Sequence, residues 1–356
     1  KQKQLEIERE TAMKGAAYDF GKTTIFTSGE EINDERGVYT TVGIGQQGID
    51  LLGIGAKNKQ RQQHIALAET ALELSEIQVA QAVKEAWSKA FQEKRKYHLY
   101  RELDSIYTRF TEAVSLNYEV EAISKLEYAS AKNQALQITN KKQQALSDYQ
   151  IALQQLNLWL VSDTFYTVPD TFEANELGMQ QLSATIDQHP ELQLSEQQIK
   201  TAEADYKAAR ANLLPTLNLQ GGLQKVNGST GFYRYQAGIS VPLFSGTERS
   251  KAKAAKIETE IAKNKAAFNK EQIEATYQQA VQTFQKWEAS WQFYKKETLP
   301  LAKEQRQGAL LAYKDGAVDY AAFTQLMRDA IQTEMDALDA LHNYLQSVFQ
   351  LHYFNN

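Results

Sequence analysis

From Ala56 to about Val114, apolar side chains recur at steps of three and four, through Leu72, Val79, Val83, Trp87, Phe91, Tyr97, Tyr100, Ile106 and Phe110. The same spacing returns from Thr247 to Ala312, through Ile257, Ile261, Phe268, Ile273, Tyr277, Val281, Phe284, Trp287 and Trp291. Such steps keep one face of an α-helix apolar. A helix of roughly 60 residues would run about 90 Å. That exceeds ordinary globular helices and predicts coiled-coil packing, with the interspersed alanines letting neighbours approach closely. Each pattern breaks once, at SLNYEVEAISK (115–125) and at LAYKDGAVDYA (311–321), and then returns to about Leu160 and Phe354. The predicted long helices are thus about 55–114, 122–161, 247–312 and 318–354. Pro300 falls inside the third and predicts a kink there.

A different period precedes each long helix. In NLLPTLNLQGGLQKV, Leu217, Leu219 and Leu223 alternate with Asn218, Gln220 and Gln224. In FYRYQAGISVPLF, Tyr233, Tyr235, Ala237, Ile239, Val241 and Leu243 alternate with Arg234, Gln236 and Ser240. Period two with one apolar face predicts strands, about 214–226 and 232–244, joined by the turn NGSTG (227–231). Upstream, YDFGKTTIFTSGE and VYTTVGIGQQ, joined by EINDERG, predict strands about 17–30 and 37–49. The first of these alternates poorly and assigns no face.

The chain is written twice. A shift of 195 superimposes Glu8 on Glu203, Gly43 and Ile44 on Gly238 and Ile239, Ala80 on Ala275, Tyr118 on Tyr313, Ala145 on Ala340 and Tyr149 on Tyr344. One constant offset across strand-like and helical parts predicts two copies, 1–161 and 196–356, each with a helix end (1–16 or 191–212), two strands and a long helical hairpin. Residues 162–195, with Pro169 and Pro190, read as an equatorial connector with a short helix near 173–188. Residues 1–10, KQKQLEIERE, are polar and helix-forming, unlike a signal peptide. They read as a helix entered partway, so a processed or trimmed start is expected.

Gly43, Gly45 and Gly48 spell G-x-G-x-x-G after an apolar run. A dinucleotide site needs these glycines within a βαβ unit of about 30 residues. Here a far longer helical pattern follows with no second strand, and the second copy has Ser240 and Leu243 in place of the last two glycines. The glycines are therefore read as easing a strand-to-helix transition, a role for Pro242 and Gly246 in the second copy.

Composition narrows the chemistry further. With 356 residues, 42% hydrophobic and 23% charged, the chain is long enough for one or two folded domains. A formal charge of −5 disfavours nucleic acid as a partner. The absence of cysteine excludes disulfides, thiolate metal sites and thiol catalysis. No run of about 18 apolar residues predicts a membrane-spanning helix. His64, His98, His189, His342 and His352 form no tight ligand pair, although the last two, ten apart, have the spacing to share a helix face. No catalytic constellation, cofactor motif or metal site is expected, and the chain does not read as an enzyme. Lys251, Lys253, Lys256, Lys263 and Lys265 read as a solvated helix face, or as contacts to lipid head groups.

Four strands leave two open edges, and open edges invite pairing. Strands near ten residues, apolar on one face and carrying aromatic residues, suit a membrane β-barrel, which needs about eight strands or more. Two chains would supply eight and three would supply twelve, so an oligomer is demanded and its number left open. The long helices of the same oligomer would form a hollow tube, and a barrel continued by a tube is a conduit.

LLPTLNL (213–219), GISVPLFSGTERSKAKAA (238–255) and AYKDGAVDYAAFTQ (312–325) resemble the TolC-like outer-membrane efflux factor family. NYEVEAISKLEYASA (117–131) resembles the turn of members serving heavy-metal pumps of the cobalt–zinc–cadmium type. The resemblance implies a mainly α fold with β strands, two pseudo-repeats, and a homotrimer with a β-barrel in the outer membrane and an α-helical barrel in the periplasm. It implies a periplasmic adaptor protein, an inner-membrane pump of the resistance-nodulation-division type and outer-membrane lipid as partners. On this reading Tyr118, Glu119, Glu121, Ser124, Tyr313, Asp315, Gly316 and Asp319 lie at the periplasmic mouth and adaptor contact, and Leu217, Leu219, Tyr233, Tyr235, Ile239 and Val241 face lipid. The acids would form a ring at the tube mouth favouring cations, or else be solvated charge at a hairpin end. Tyr118 and Tyr313 read as hairpin packing, with adaptor contact second. Copy one carries Glu121 at the turn glycine, and Ala322 stands where family members often have an aspartate, with Asp319 the nearest acid. A drug-efflux or type I secretion duct is the alternative cargo reading, and a soluble coiled-coil scaffold is the alternative of another class.

Overall fold

A computed structural model describes residues 1–31, 38–172 and 189–355. The short helix expected near 173–188 and most of the EINDERG turn lie outside these residues. The described elements are α1 (Gln2–Ala12), β1 (Lys22–Glu31), β2 (Val38–Ile49), α2 (Ile54–Glu119), α3 (Lys125–Leu160), α4 (Pro190–Ala211), β3 (Thr216–Val226), β4 (Ser229–Ser240), α5 (Gly246–Phe293), α6 (Leu299–Lys314) and α7 (Tyr320–Phe354). They divide into two compact units, Lys1–Ser75 with Asp187–Gln272, and Glu76–Ile186 with Ile273–Asn356.

The first unit holds the sheet. Its strand order is β1-β2-β3-β4, every pair antiparallel, so β1 and β4 are the outer strands. Met13–Ala17 forms a 3-10 turn, and β1 starts at Lys22, later than its sequence pattern suggested. Asp19 explains the delay: its carboxylate accepts the Gly21 N–H at 2.9 Å, closing a turn that Gly21 completes at φ +73°. β3 and β4 are joined by Asn227 and Gly228 alone, at φ +52° and +79°. Two left-handed residues make the tight hairpin turn that matches strand twist, so β4 begins at Ser229 and includes the residues first read as loop. It ends at Ser240, because Pro242 has no N–H to offer a ladder.

Beside the sheet in this unit, α4 packs on the first turns of α2. Its contact side is small, with Ala202, Ala204, Ala208 and Ala211 buried. Asp205 accepts from Gln60 at 2.8 Å and pairs with His64 Nε2 at 2.9 Å. Thr259 of α5 donates to the Ala202 carbonyl at 3.2 Å.

The second unit is helical. Along α7, Phe323, Met327, Ala330, Glu334 and Ala337 are buried, Leu341 is half-buried, and Tyr344, Val348 and Leu351 are buried again. These steps of four and three, repeated without interruption, are a coiled-coil seam. The seam meets Leu103, Tyr107, Phe110 and Val114 of α2, Ala131 and Ile138 of α3, and Ala309 of α6 in one core. Phe110 stacks on Phe323 with centroids 4.4 Å apart. Start-of-connector residues are pinned here too: Lys94 donates to the Val168 carbonyl at 2.6 Å and pairs with Asp170 at 2.7 Å.

The helix type changes just ahead of Pro300. A five-residue π-helical turn, Tyr294–Thr298, separates α5 from α6, and Pro300 takes the second position of α6. A proline near a helix start lacks only a donor that would be unpaired anyway, and the π turn absorbs the missing bond just upstream.

Candidate functional site

Two places concentrate the residues singled out by sequence, one in each unit. In the sheet, register settles which side chains share a face. Leu217 lies opposite Ile239, Leu219 opposite Ala237 and Leu223 opposite Tyr233. The same face continues through Val42 opposite Leu223, and Ile25 opposite Ile44. Tyr235 is 89% exposed, Ile25 83% and Ile239 70%; Val42, Ile44, Leu219, Leu223 and Tyr233 are exposed as well, and Leu217 is half-buried. Val241 is exposed just past the end of β4. Burying one such side chain is worth about 1.5–3 kcal/mol. Leaving eight of them in water would forgo on the order of 10 kcal/mol, comparable with the whole stability of a typical domain.

The opposite face explains the glycines. Gly43 and Gly45 lie inside β2, not at a transition into helix. Gly43 is paired with Gly222. A Cβ on Gly43 would fall 2.5 Å from the Gly221 carbonyl oxygen and 2.7 Å from the Phe26 ring, and one on Gly222 would fall 2.7 Å from the Val42 carbonyl oxygen. The two strands thus approach in a way only glycine permits. Gly48, at φ +78°, occupies a bulge between Gln46 and Ile49. Its N–H donates to Asn218 Oδ1 at 2.7 Å, and the Asn218 amide donates onward to Ser240 Oγ at 2.6 Å.

In the helical unit, both hairpins turn by the same device. The Ala122 N–H donates to the Asn117 carbonyl at 2.8 Å, and the Glu121 N–H to the Tyr118 carbonyl at 3.0 Å. The second hairpin repeats this with Ala317 to Ala312 at 2.8 Å and Gly316 to Tyr313 at 3.1 Å. Those paired bonds, with a left-handed residue between them, are a Schellman motif. Glu121 takes that position at φ +58° and Gly316 at φ +70°. The returning helices are capped at matching residues: Ser124 accepts from the Glu127 N–H at 3.2 Å in a capping box, and Asp319 accepts from the Ala322 N–H at 2.8 Å. Every one of these pairs is related by the shift of 195 seen in the sequence.

Glu119, Glu121 and Asp315 are exposed at the turns. Asp319 is exposed but engaged as a cap, a structural duty that sequence alone did not separate from a gating one. Tyr118 stacks on Tyr128, centroids 4.9 Å apart and nearly parallel. Tyr313 lies 5.0 Å from Phe110 and 5.2 Å from Phe323, and burial raises its hydroxyl pKa. The hairpins are tied together where Tyr320 Oη donates to Ser130 Oγ at 3.0 Å.

Sequence reading missed a buried ion network deeper in this unit. Glu334, at a coiled-coil core position, accepts from Arg306 Nε at 3.0 Å, and the same guanidinium reaches Glu102 at 3.0 Å. Burial pushes the Glu334 carboxyl above its ordinary range, against the pull of Arg306. The uninterrupted four-three spacing of α7, with an acid at one core step, is the signal that would have marked Glu334 as a buried acid, though not its partner. His342 Nδ1 meets Ser88 Oγ at 2.9 Å, and burial lowers the pKa of both His342 and His352. Among the described residues, no group of three or more His, Asp or Glu is placed to hold a metal ion. No described helix is long and apolar enough to cross a membrane.

A model of the outer membrane efflux protein family matches residues 182–353, a little under half of the chain. No curated sequence gives a significant match. Among solved structures, a membrane protein from Pseudomonas aeruginosa is 17% identical with a TM-score of 0.78, covering 100% of this chain and 88% of that one. CusC, described for its folding and transmembrane channel formation, is 15% identical with a TM-score of 0.81 and the same coverage. The outer membrane protein VceC from Vibrio cholerae is 12% identical with a TM-score of 0.77, covering 100% of this chain and 92% of its own. At these identities the likeness establishes the architecture, and the chain has the TolC-like fold, mostly helical with a small antiparallel sheet.

Proposed function

We propose that this chain is the outer-membrane exit duct of a tripartite efflux system, working with a periplasmic adaptor and an inner-membrane pump of the resistance-nodulation-division type. The observation that carries the reading is the four-stranded sheet of β1-β2-β3-β4, with its apolar face exposed and both outer strands open among the described residues. One chain cannot cover that face or close those edges. Pairing β4 of one copy with β1 of the next is a head-to-tail contact, and such contacts form rings where the rotation between copies closes. Three copies of four strands give a twelve-stranded barrel, above the minimum of about eight, with the apolar side turned to lipid.

The helices support a surrounding of sister chains. On α3, Ala131, Ile138, Ala145 and Ala152 are buried, while Leu126, Leu136, Ile151 and Leu158 are exposed. At about 100° per residue these two series fall on opposite sides of the helix. In the sheet-bearing unit, Ile257, Ile261 and Phe268 of α5 form a similar exposed stripe, away from buried Ala252 and Thr259. A helix apolar on two sides has packing partners on both, as in a closed tube of helices.

As a duct the chain performs no chemistry. The pump supplies energy, and the hairpin ends, held by the Schellman turns, dock the adaptor and part to widen the mouth. Heavy-metal cations are the cargo favoured by NYEVEAISKLEYASA and by the acids Glu119, Glu121, Asp315 and Asp319 at the turns. Reconstitution in planar bilayers tests the duct: discrete ohmic steps are expected, and absence of any conductance from correctly folded protein would remove it. Metal sensitivity of a deletion strain, unmatched by drug sensitivity, tests the cargo.

A further inference from the structure

A cavity of about 670 Å³ opens in the helical unit among α2, α6 and α7. It lies beside the π-helical turn Tyr294–Thr298, and such turns are frequent at functional sites. Four strong cations line it, Arg95, Arg101, Lys303 and Arg306, against two acids, Glu102 and Glu334. Both acids are already engaged by one of those cations, since Arg306 pairs with each at 3.0 Å. Arg306 alone of the four makes a direct ion pair with these acids; Lys303 draws on Glu334 only through space, and Arg95 donates to the Asp170 carbonyl at 3.2 Å, so positive charge is in excess along the lining.

The remaining wall is mostly apolar, with His98 and Ser105 as its polar members. Trp291 closes one side from the end of α5, and Leu299, Leu338 and Leu341 supply the others. Trp291 and these leucines are half-buried, while Arg101 and Lys303 are exposed at the rim. A volume of this size suits a drug-sized molecule, and such sites combine an apolar lining with a few placed polar groups. Guanidinium groups recognise carboxylates and sulfonates through planar paired donors, and an indole face takes an aromatic body.

We propose that this cavity binds an amphipathic organic anion, its headgroup held by Arg101 and Lys303 with Arg95, and its apolar body laid against Trp291, Leu338 and Leu341. Arg306 then has a second duty. By holding both acids it keeps their charge from the headgroup. The site is formed by one chain's described residues, and only the nanodisc setting of its test rests on the outer-membrane reading.

The test uses the full chain in lipid nanodiscs, with Trp87, Trp159 and Trp287 replaced by Phe so that Trp291 is the one tryptophan left. The probe is 8-anilinonaphthalene-1-sulfonate, with empty nanodiscs subtracted. Saturable energy transfer from Trp291 to the probe is expected. Arg101→Gln with Lys303→Gln should weaken binding at least tenfold with circular dichroism unchanged, and Arg101→Lys with Lys303→Arg should restore it. The neutral N-phenyl-1-naphthylamine should bind at least tenfold more weakly. No saturable transfer, equal binding of the neutral amine, or an affinity indifferent to the paired Gln substitutions would each overturn the assignment.

Discussion

The two Schellman turns offer a matched experiment, because one position is glycine and its counterpart is not. Gly316 sits at φ +70° and Glu121 at φ +58°. An L-residue in this region costs roughly 1–2 kcal/mol relative to right-handed geometry. A Cβ added at Gly316 meets nothing within 4 Å, so Gly316→Ala isolates that backbone cost from any steric clash. Replacing glycine also narrows the unfolded ensemble, which returns about 0.4–1 kcal/mol. The net expectation is a hairpin destabilised by about 0.5–1 kcal/mol in Gly316→Ala, and one stabilised by a similar amount in Glu121→Gly. Hydrogen–deuterium exchange reads this locally, where global unfolding of the proposed oligomer would not be two-state. The Ala317 amide, bonded to the Ala312 carbonyl, should exchange about two- to fivefold faster in the first variant. The Ala122 amide, bonded to the Asn117 carbonyl, should exchange about two- to fivefold slower in the second. If Ala317 is unmoved and Ala122 exchanges faster, the left-handed residue is not what shapes these turns.

Other expectations follow from the same geometry. Gly43→Val should block assembly, because its Cβ would strike the Gly221 carbonyl, whereas Gly238→Ala, with nothing within 4 Å, should assemble normally on a native gel. Arg306→Met strands a buried carboxylate and should destabilise by about 3–5 kcal/mol, while Arg306→Met with Glu334→Leu should recover most of that in thermal melts. The hydrogen bond to Asp205 raises the His64 pKa above its ordinary 6.5. Its stabilisation is therefore full below about pH 6.5 and lost as pH rises through the raised folded value. An NMR titration should place the His64 pKa above that of His98, which burial lowers, and Asp205→Asn should lower the His64 value while leaving that of His98 unmoved. Asp319→Asn with Glu121→Gln keeps a competent cap at residue 319 while deleting two charges, and should reduce cation selectivity; unchanged reversal potentials in an ion gradient would refute an acidic mouth.

Period was the part of the fold most legible in sequence. Alternation in TLNLQ and YRYQAGI, and four-three steps along the helices, report side-chain direction, which register and core packing then determine. Turn chemistry was harder to read. Asn227–Gly228 is a compact hairpin signal, yet the following Ser-Thr-Gly drew those residues into the loop. Asp19 displaced the start of β1 by a side-chain hydrogen bond that no hydrophobic pattern records. Gly43 and Gly222 need each other, and only cross-strand pairing shows why both are small. At the hairpin ends, sequence grouped these positions but could not divide their duties: Ser124 and Asp319 are helix caps, and Tyr118 and Tyr313 are engaged in ring packing. Arg306 and Glu334 are 28 residues apart on different helices, so their pairing depends on tertiary register that local pattern does not contain.

Closure of the sheet by sister chains is the central claim, and the absence of native cysteine makes it directly measurable. One cysteine is placed within Thr24–Ser28 of β1 and another within Arg234–Gly238 of β4 of the same chain, and membranes are oxidised before denaturing electrophoresis. Pairing of β4 with the next copy's β1 predicts bands at two and three times the 40.3 kDa chain, with the threefold species terminal because the ring is closed. A single band at the monomer mass across every cysteine pair, from protein that is folded and free in water, would contradict the account.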